Sequence, residues 1–374
     1  MNYCVAATTM FFHGIGRILV SLCLLQLVSC DSAPYQQSIP NQETIYLPEV
    51  PVNLAAALPY PERNPPTKEG VALGRMLFYD PILSQNGTVS CASCHQPEKA
   101  FTDGVALSRA GVSGAPLQRH VPTLVNVAWQ DGLFWDGGAK DIESLTFGPL
   151  THPDEMGQHV KELVQKLQQH EQYPQLFKKA FQTDSITSAF VTRALAQFER
   201  TLISGNSRYD RYIRNEAQGT LTSYELEGLS LFKKHCSNCH SSDLFTDNSY
   251  HNNGLDSEFS DANEALHFAR GRITNQAADI GKYKTPTLRN IALTAPYMHD
   301  GRFSTLEEVL DHYSTGVTYS PSLALQLQQN NKLGIPLSSS DKNKIVSFLL
   351  TLTDSSFIQD KRYGNPFKTE NQLQ

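Results

Sequence analysis

Basic runs, aromatic-basic stretches and polar low-complexity tracts are all missing from this 374-residue chain. With a formal net charge of −6, that absence excludes nucleic acid as a partner. Long apolar segments are missing too: the one marked apolar stretch, Ile18 to Val28, is shorter than a membrane-spanning helix requires. Hydrophobic residues nonetheless make up 40% of the chain, enough for two or three folded domains. Cysteine is scarce outside the N-terminal region. Of seven, Cys4, Cys23 and Cys30 fall within residues 1–30. Cys91, Cys94, Cys236 and Cys239 remain, with none to spare for a disulfide framework.

Residues 1–30 read as a secretion signal: Arg17 precedes the apolar stretch, no acidic residue interrupts it, and it ends in Leu27-Val28-Ser29-Cys30. Small residues before a cysteine, followed by a polar Pro-containing stretch, resemble the lipobox of bacterial lipoproteins. Cys30 is then the lipid-bearing first residue of a periplasmic, membrane-anchored protein, and residues 31–62 are its tether. A simple cleaved signal, or an uncleaved anchor, is the alternative.

The four remaining cysteines form two copies of one motif, Cys91-Ala-Ser-Cys94-His95 and Cys236-Ser-Asn-Cys239-His240. Each copy offers two thiols that can add to haem vinyl groups and an adjacent imidazole for the iron. A zinc site would not require a histidine directly after each pair, and a redox dithiol needs no second copy. Two covalent c-type haems, with His95 and His240 as iron ligands, are therefore expected.

The surroundings of the two motifs also repeat. Gly74, Leu77 and Phe78 precede the first as Gly228, Leu231 and Phe232 precede the second. Phe101-Thr102-Asp103 answers to Phe245-Thr246-Asp247, and Pro122-Thr123-Leu124-Val125-Asn126 to Pro286-Thr287-Leu288-Arg289-Asn290. Asp136-Gly137 and Asp300-Gly301 follow at equal distances. The expected fold is mainly α, with two duplicated cytochrome c-like haem domains packed together, over residues 63–218 and 219–374. Apolar periodicity places helices over Val160–His170, Thr187–Leu202, Ser223–Lys234 and Asp341–Leu352. Asn248–Tyr283 has no counterpart in the first half and reads as surface filler or a functional loop.

The repeat bears on the sixth iron ligand. Thirteen positions after Asp300 stands Tyr313, and thirteen after Asp136 stands Pro149. A phenol can ligate where a proline ring cannot, so one iron is expected to be closed and the other open. His312, Met298 and His299 are the rival ligands if Tyr313 is a core tyrosine.

Over residues 65–355 the chain resembles the bacterial dihaem cytochrome c peroxidase and MauG family. The resemblance rests on both haem motifs, on Phe134-Trp135-Asp136-Gly137, on Glu155-Met156, and on the run from Thr287 to Gly301. It implies that the first haem is peroxidatic and the second passes electrons. Trp135 then lies between them, and Glu155 is the distal carboxylate. A carboxylate beside an open iron suits the proton transfer that peroxide cleavage needs. His152 is a rival for that task. Without the resemblance, Trp135 reads as a packed core aromatic and Glu155 as a solvated residue after Pro153.

Departures from the family pattern define the branch. No histidine occurs between His95 and His120, although classical family peroxidases carry one near the position of Val112 to block the first iron. Those peroxidases also have methionine where this chain has Tyr313. Both changes point to the MauG-like branch. His120 replaces the asparagine of the family's inter-haem calcium site, where carbonyls near Thr294 and Pro296 remain as ligands. Leu145 replaces a distal glutamine. The implied activity is reduction of hydrogen peroxide with electrons from a small cytochrome c or copper protein. The alternative is peroxide-driven oxidation of aromatic residues in a protein substrate. A non-enzymatic dihaem electron carrier would require two closed irons. Family members are often homodimers.

Overall fold

The computed structural model describes residues 45–54, 57–259, 268–329 and 331–368. The expected signal, Cys30 and residues 31–44 lie outside the described residues. From Ile45 onward the chain lies against the body: Tyr46 N–H donates to the Pro66 carbonyl at 2.7 Å, and Leu54 and Leu58 are buried.

The main helices form where apolar residues recur at helical spacing, and several of them open on a side-chain cap. They include α1 (Lys68–Tyr79), α2 (Val160–Gln169), α3 (Tyr173–Phe181), α4 (Ser188–Glu199), α5 (Ser223–His235), α6 (Leu306–Asp311) and α7 (Ser339–Leu350). Thr67 and Thr187 cap α1 and α4, each accepting a first-turn amide. Reciprocal capping boxes, Thr222 with Glu225 and Ser338 with Asp341, open α5 and α7. The four helices expected from periodicity are all present, with ends shifted by a few residues. Strand structure is confined to two short antiparallel pairs among the described residues, Tyr250–His251 with Tyr283–Lys284 and Gln328–Gln329 with Lys332–Leu333.

Two helix crossings carry the two cores. α1 packs on α4 at Gly74, where an added Cβ would lie 1.9 Å from the Ala194 carbonyl oxygen. α5 packs on α7 at Gly228, where a Cβ would lie 1.9 Å from the Lys344 carbonyl oxygen. Beside each crossing two phenylalanine rings meet at 5.2 Å, Phe78 with Phe198 and Phe232 with Phe348. Phe101 completes the first core and Phe245 the second. The chain's last stretch returns to the first core. Phe357 packs on Phe101 with ring centres 5.7 Å apart, and the Tyr79 hydroxyl donates to the Tyr363 carbonyl at 2.6 Å.

Loop geometry repeats as closely. Phe101 and Phe245 both adopt left-handed backbone, as do Asn126 and Asn290. Asn126 Oδ1 accepts the Ser204 amide at 2.9 Å, and Asn290 Oδ1 accepts the Asp354 amide at 2.7 Å. The Asn248–Tyr283 segment breaks the symmetry, and it is more than filler. Arg270 donates to the carbonyls of Asp136 and Gly137 at 3.1 and 3.2 Å, while the Tyr250 hydroxyl fills the space beside Gly132 and Gly137.

At both crossings the atom facing the glycine is backbone, which cannot swing aside. Gly74→Ala and Gly228→Ala are each expected to destabilise the haem-loaded protein by about 1–3 kcal/mol or more. Thermal unfolding of the variants measures this, and an unchanged midpoint would show that the crossings are loose.

Candidate functional site

Each Cys-x-x-Cys-His motif sits at the end of a helical turn followed by a loop that folds back on its histidine. His95 Nδ1 lies 2.8 Å from the Phe101 carbonyl, and His240 Nδ1 lies 3.1 Å from that of Phe245. Each Nδ1–H is thus committed to backbone, which fixes the ring and leaves Nε2 as the acceptor a metal needs. Burial lowers the pKa of both imidazoles and favours the neutral, ligating form. The four thiols form no disulfide. Burial holds them protonated, Cys236 pushed up to about 12 and Cys239 to about 11. Two thiols and a buried neutral imidazole in each motif suit thioether attachment of a haem.

The second motif opens onto a cavity of about 260 Å³ lined mainly by apolar groups. His240 and Tyr313 both line it, as do Met298 and His299. An imidazole and a phenol lining one apolar cavity beside two thiols are compatible with a c-type haem, whose iron His240 and Tyr313 would hold. Burial pushes the Tyr313 phenol up to about 12, and a hydrogen bond from Asn253 opposes this. His312 is committed elsewhere, its Nε2 lying 3.0 Å from the Asn253 carbonyl. His299 stacks on Tyr283 with ring centres 3.6 Å apart.

Glu155 lies at the first motif. Its charge disfavours the thiolates of Cys91 and Cys94, which places it within their electrostatic reach. Desolvation raises its own pKa above the ordinary glutamate value, and His152, with Nδ1 3.8 Å from Oε1, pulls it partly back. Half of the His152 side chain is exposed. The loop at Val112 docks on this turn: Val112 N–H donates to the Glu155 carbonyl at 2.8 Å, and Ser113 Oγ–H donates to Asp154 at 2.9 Å. The position where a blocking histidine would align is therefore adjacent to Glu155 and carries no imidazole. Pro149, on the short helix Phe147–Thr151, accepts the Met156 amide at 3.1 Å.

Trp135 lines the same cavity as His240 and Tyr313 and is tightly held. Its Nε1–H donates to the His120 carbonyl at 2.8 Å, and the His120 amide donates to the His299 carbonyl at 2.8 Å. Asp136, next in the chain, accepts from Arg119 at 2.8 Å and Arg272 at 2.6 Å. Leu145 lines the same cavity.

Two residues escaped the sequence reading. Glu199 is buried on the core face of α4, with Oε2 lacking a partner among the described residues, and burial pushes its pKa to about 8. A charged residue four positions after Leu195, on an apolar stripe, was the available signal. Asn253 lies in the unmatched segment, where no internal comparison reaches it.

A family model described as di-haem cytochrome c peroxidase matches residues 68–218. Methylamine utilization protein MauG of Methylorubrum extorquens is 36% identical over 332 residues, covering 87% of this chain and 90% of that protein. The chain belongs to the dihaem cytochrome c peroxidase and MauG family. It is therefore an oxidoreductase of the cytochrome c peroxidase type, in a family that carries two c-type haems. Cytochrome c551 peroxidase of Nitrosomonas europaea is 35% identical over 292 residues, covering 78% of this chain and 81% of that protein. A crystal structure of a MauG-like protein associated with microbial copper homeostasis matches with a TM-score of 0.76 and 35% identity, over 86% of this chain and 99% of that one. Family members thus include proteins named for peroxidase activity and proteins named for methylamine utilisation.

Because attachment is covalent, haem should stay with the chain under denaturing conditions. Cys236→Ser with Cys239→Ser is expected to lower the intact mass by one haem relative to the parent protein, and a double variant that still carries two covalent haems would contradict the assignment.

Proposed function

We propose that the protein is a periplasmic dihaem peroxidase, held to a membrane by lipid on Cys30, that reduces hydrogen peroxide to water. Its two halves, duplicated cytochrome c-like domains, divide the labour. The observation that carries this reading is the asymmetry of the two sites: Tyr313 shares the cavity of His240, whereas the half-buried Glu155 carboxyl lies close to the Cys91 and Cys94 thiols that precede His95.

His95 would hold a first haem that supplies peroxide-binding iron, and His240 with Tyr313 a second that supplies electron transfer. Glu155 takes a proton from one peroxide oxygen and returns it to the other, which leaves as water. Two further electrons and two protons complete the conversion of one peroxide to two waters. The desolvated carboxyl, with its raised pKa, is matched to a group that must both accept and give a proton. Trp135, fixed by its indole hydrogen bond, links the sites for electron movement. Electrons enter from a small cytochrome c or copper protein near the Cys236 haem.

A second reading is favoured by the MauG relatives and by Tyr313: electrons drawn from aromatic side chains of a protein substrate, which is thereby modified. A calcium ion between the haems would draw on the carbonyls of Thr294 and Pro296. His120 spends its ring nitrogen Nδ1 on the Val105 carbonyl.

Glu155→Gln is expected to cut peroxide turnover by about 10²–10⁴-fold, measured in steady state with a reduced cytochrome c donor. In the parent protein, turnover should fall as pH drops through the raised pKa of Glu155, because the protonated carboxyl cannot accept a proton. That acid limb should vanish in the variant. Unchanged turnover would remove Glu155 from the mechanism.

A further inference from the structure

The two haem turns repeat down to one carboxylate and differ there. After each motif comes Phe-Thr-Asp, and in both halves the aspartate Oδ1 accepts the amide two residues on: Asp103 from Val105 at 3.2 Å, Asp247 from Ser249 at 2.9 Å. The other oxygen has different surroundings. Asp103 Oδ2 is buried with no hydrogen-bond partner among the described residues, whereas Asp247 Oδ2 meets His251 Nε2 at 2.7 Å. His251 comes from the 248–283 segment, which the first half lacks.

The pair stands at the attachment edge of the second site. One ring nitrogen of His251, one oxygen of Asp247 and Cys239 Sγ all lie within 4.8 Å of one another. With Cys239 committed to a thioether, this trio is no metal site but an imidazole–carboxylate pair beside the haem edge. The Asp247 amide also donates to the Cys239 carbonyl at 2.8 Å, and His251 lines the cavity of His240 and Tyr313. His251 Nδ1 has no partner among the described residues, and a quarter of the side chain is exposed, so water can exchange protons with it. The charged and titratable groups around the pair are Lys284 on the strand paired with Tyr250–His251, Tyr283 opposite His251, Arg270 over the Tyr250 ring, Asp131 beside Lys284, and His240 on the haem turn. Lys284 Nζ donates to the Asp131 carbonyl at 2.8 Å and to Asn248 Oδ1 at 3.0 Å, and burial lowers its pKa to about 8. Burial keeps the Tyr283 phenol protonated.

We propose that His251 and Asp247 couple proton uptake to reduction of the second haem: as one electron enters the site, one proton from water joins His251 Nδ1 while Nε2–H stays donated to Asp247. This coupling rests on the reading of the second haem as the one that passes electrons. Its sign follows from charge. Asp247 alone places a negative charge beside the haem and favours the oxidised form; a protonated His251 offsets that charge and favours the reduced form. The midpoint potential of the second haem is therefore higher on the acid side of the His251 titration than on the alkaline side. No imidazole reaches Asp103 among the described residues, so the device serves the second haem alone.

The test is spectroelectrochemical titration of the full dihaem protein across about pH 5–8, with His251→Gln and Asp247→Asn beside the parent. In the parent, the second haem's midpoint is expected to be higher at the acid end by the equivalent of about tenfold in the oxidised-to-reduced ratio, ~59 mV for one electron. His251→Gln keeps a donor for Asp247 and cannot titrate, so its potential should stay at the parent's alkaline value throughout. A side chain that only packs would shift the potential without changing its dependence on pH. A flat parent profile would overturn the coupling and leave the electron-transfer reading intact. A slope that persists in His251→Gln would overturn it in favour of Lys284. A second haem that cannot be reduced and reoxidised reversibly would overturn the electron-transfer reading and the coupling with it. Should His251→Gln fail to fold, Asp247→Asn carries the test: removal of the carboxylate charge is expected to raise the alkaline limb, and an unmoved limb would overturn the role of the pair.

Discussion

The hydrogen bond from each proximal histidine to the backbone six or five residues further on is the constraint around which the molecule is arranged. To bring the Phe101 and Phe245 carbonyls to His95 and His240, the chain must turn back through left-handed backbone at those phenylalanines. The turn drives each phenyl ring into the core beneath its helix crossing, against Phe78 or Phe232. Ring orientation, cofactor attachment and core packing are therefore one structural event, repeated twice. Removing an imidazole would cost a metal ligand and also unpin the loop that fills the core.

Around this shared frame the two halves diverge by what the chain adds. The first half keeps Glu155 on a turn docked against Val112, close to the Cys91 and Cys94 thiols. The second half gains the 248–283 segment. That segment reaches back to the first half, where Arg270 and Arg272 grip the Asp136–Gly137 turn beside Trp135. The turn that follows Trp135, the residue proposed to connect the haems, is thus steadied by this insertion. The buried Arg289–Asp210 pair, with both bonds at 2.9 Å, ties the second half to the last helical turn of the first.

What could be read in the sequence was whatever is local or periodic. The haem motifs are contiguous, the four long helices repeat at helical spacing, and the match of Tyr313 with Pro149 required only counting from a shared Asp-Gly. Residues whose role depends on distant chain were out of reach. Phe357 and Tyr363 join the first core from the far end of the chain, and no spacing announces that return. Glu199 looked like one more charge on a helix, and its buried setting depends on packing against α1 and the Cys91 turn. Asn253 sits in a polar stretch that resembles surface loop in composition, because its few inward-facing groups are separated by solvent-facing ones.

The central claim is that one iron is open and the other closed in the oxidised protein. Low-temperature electron paramagnetic resonance of the fully oxidised, as-isolated dihaem protein tests it directly. One high-spin and one low-spin ferric signal is the predicted spectrum. Two low-spin signals would contradict the account, since they would place a sixth ligand on the His95 haem and close the site where Glu155 is proposed to act.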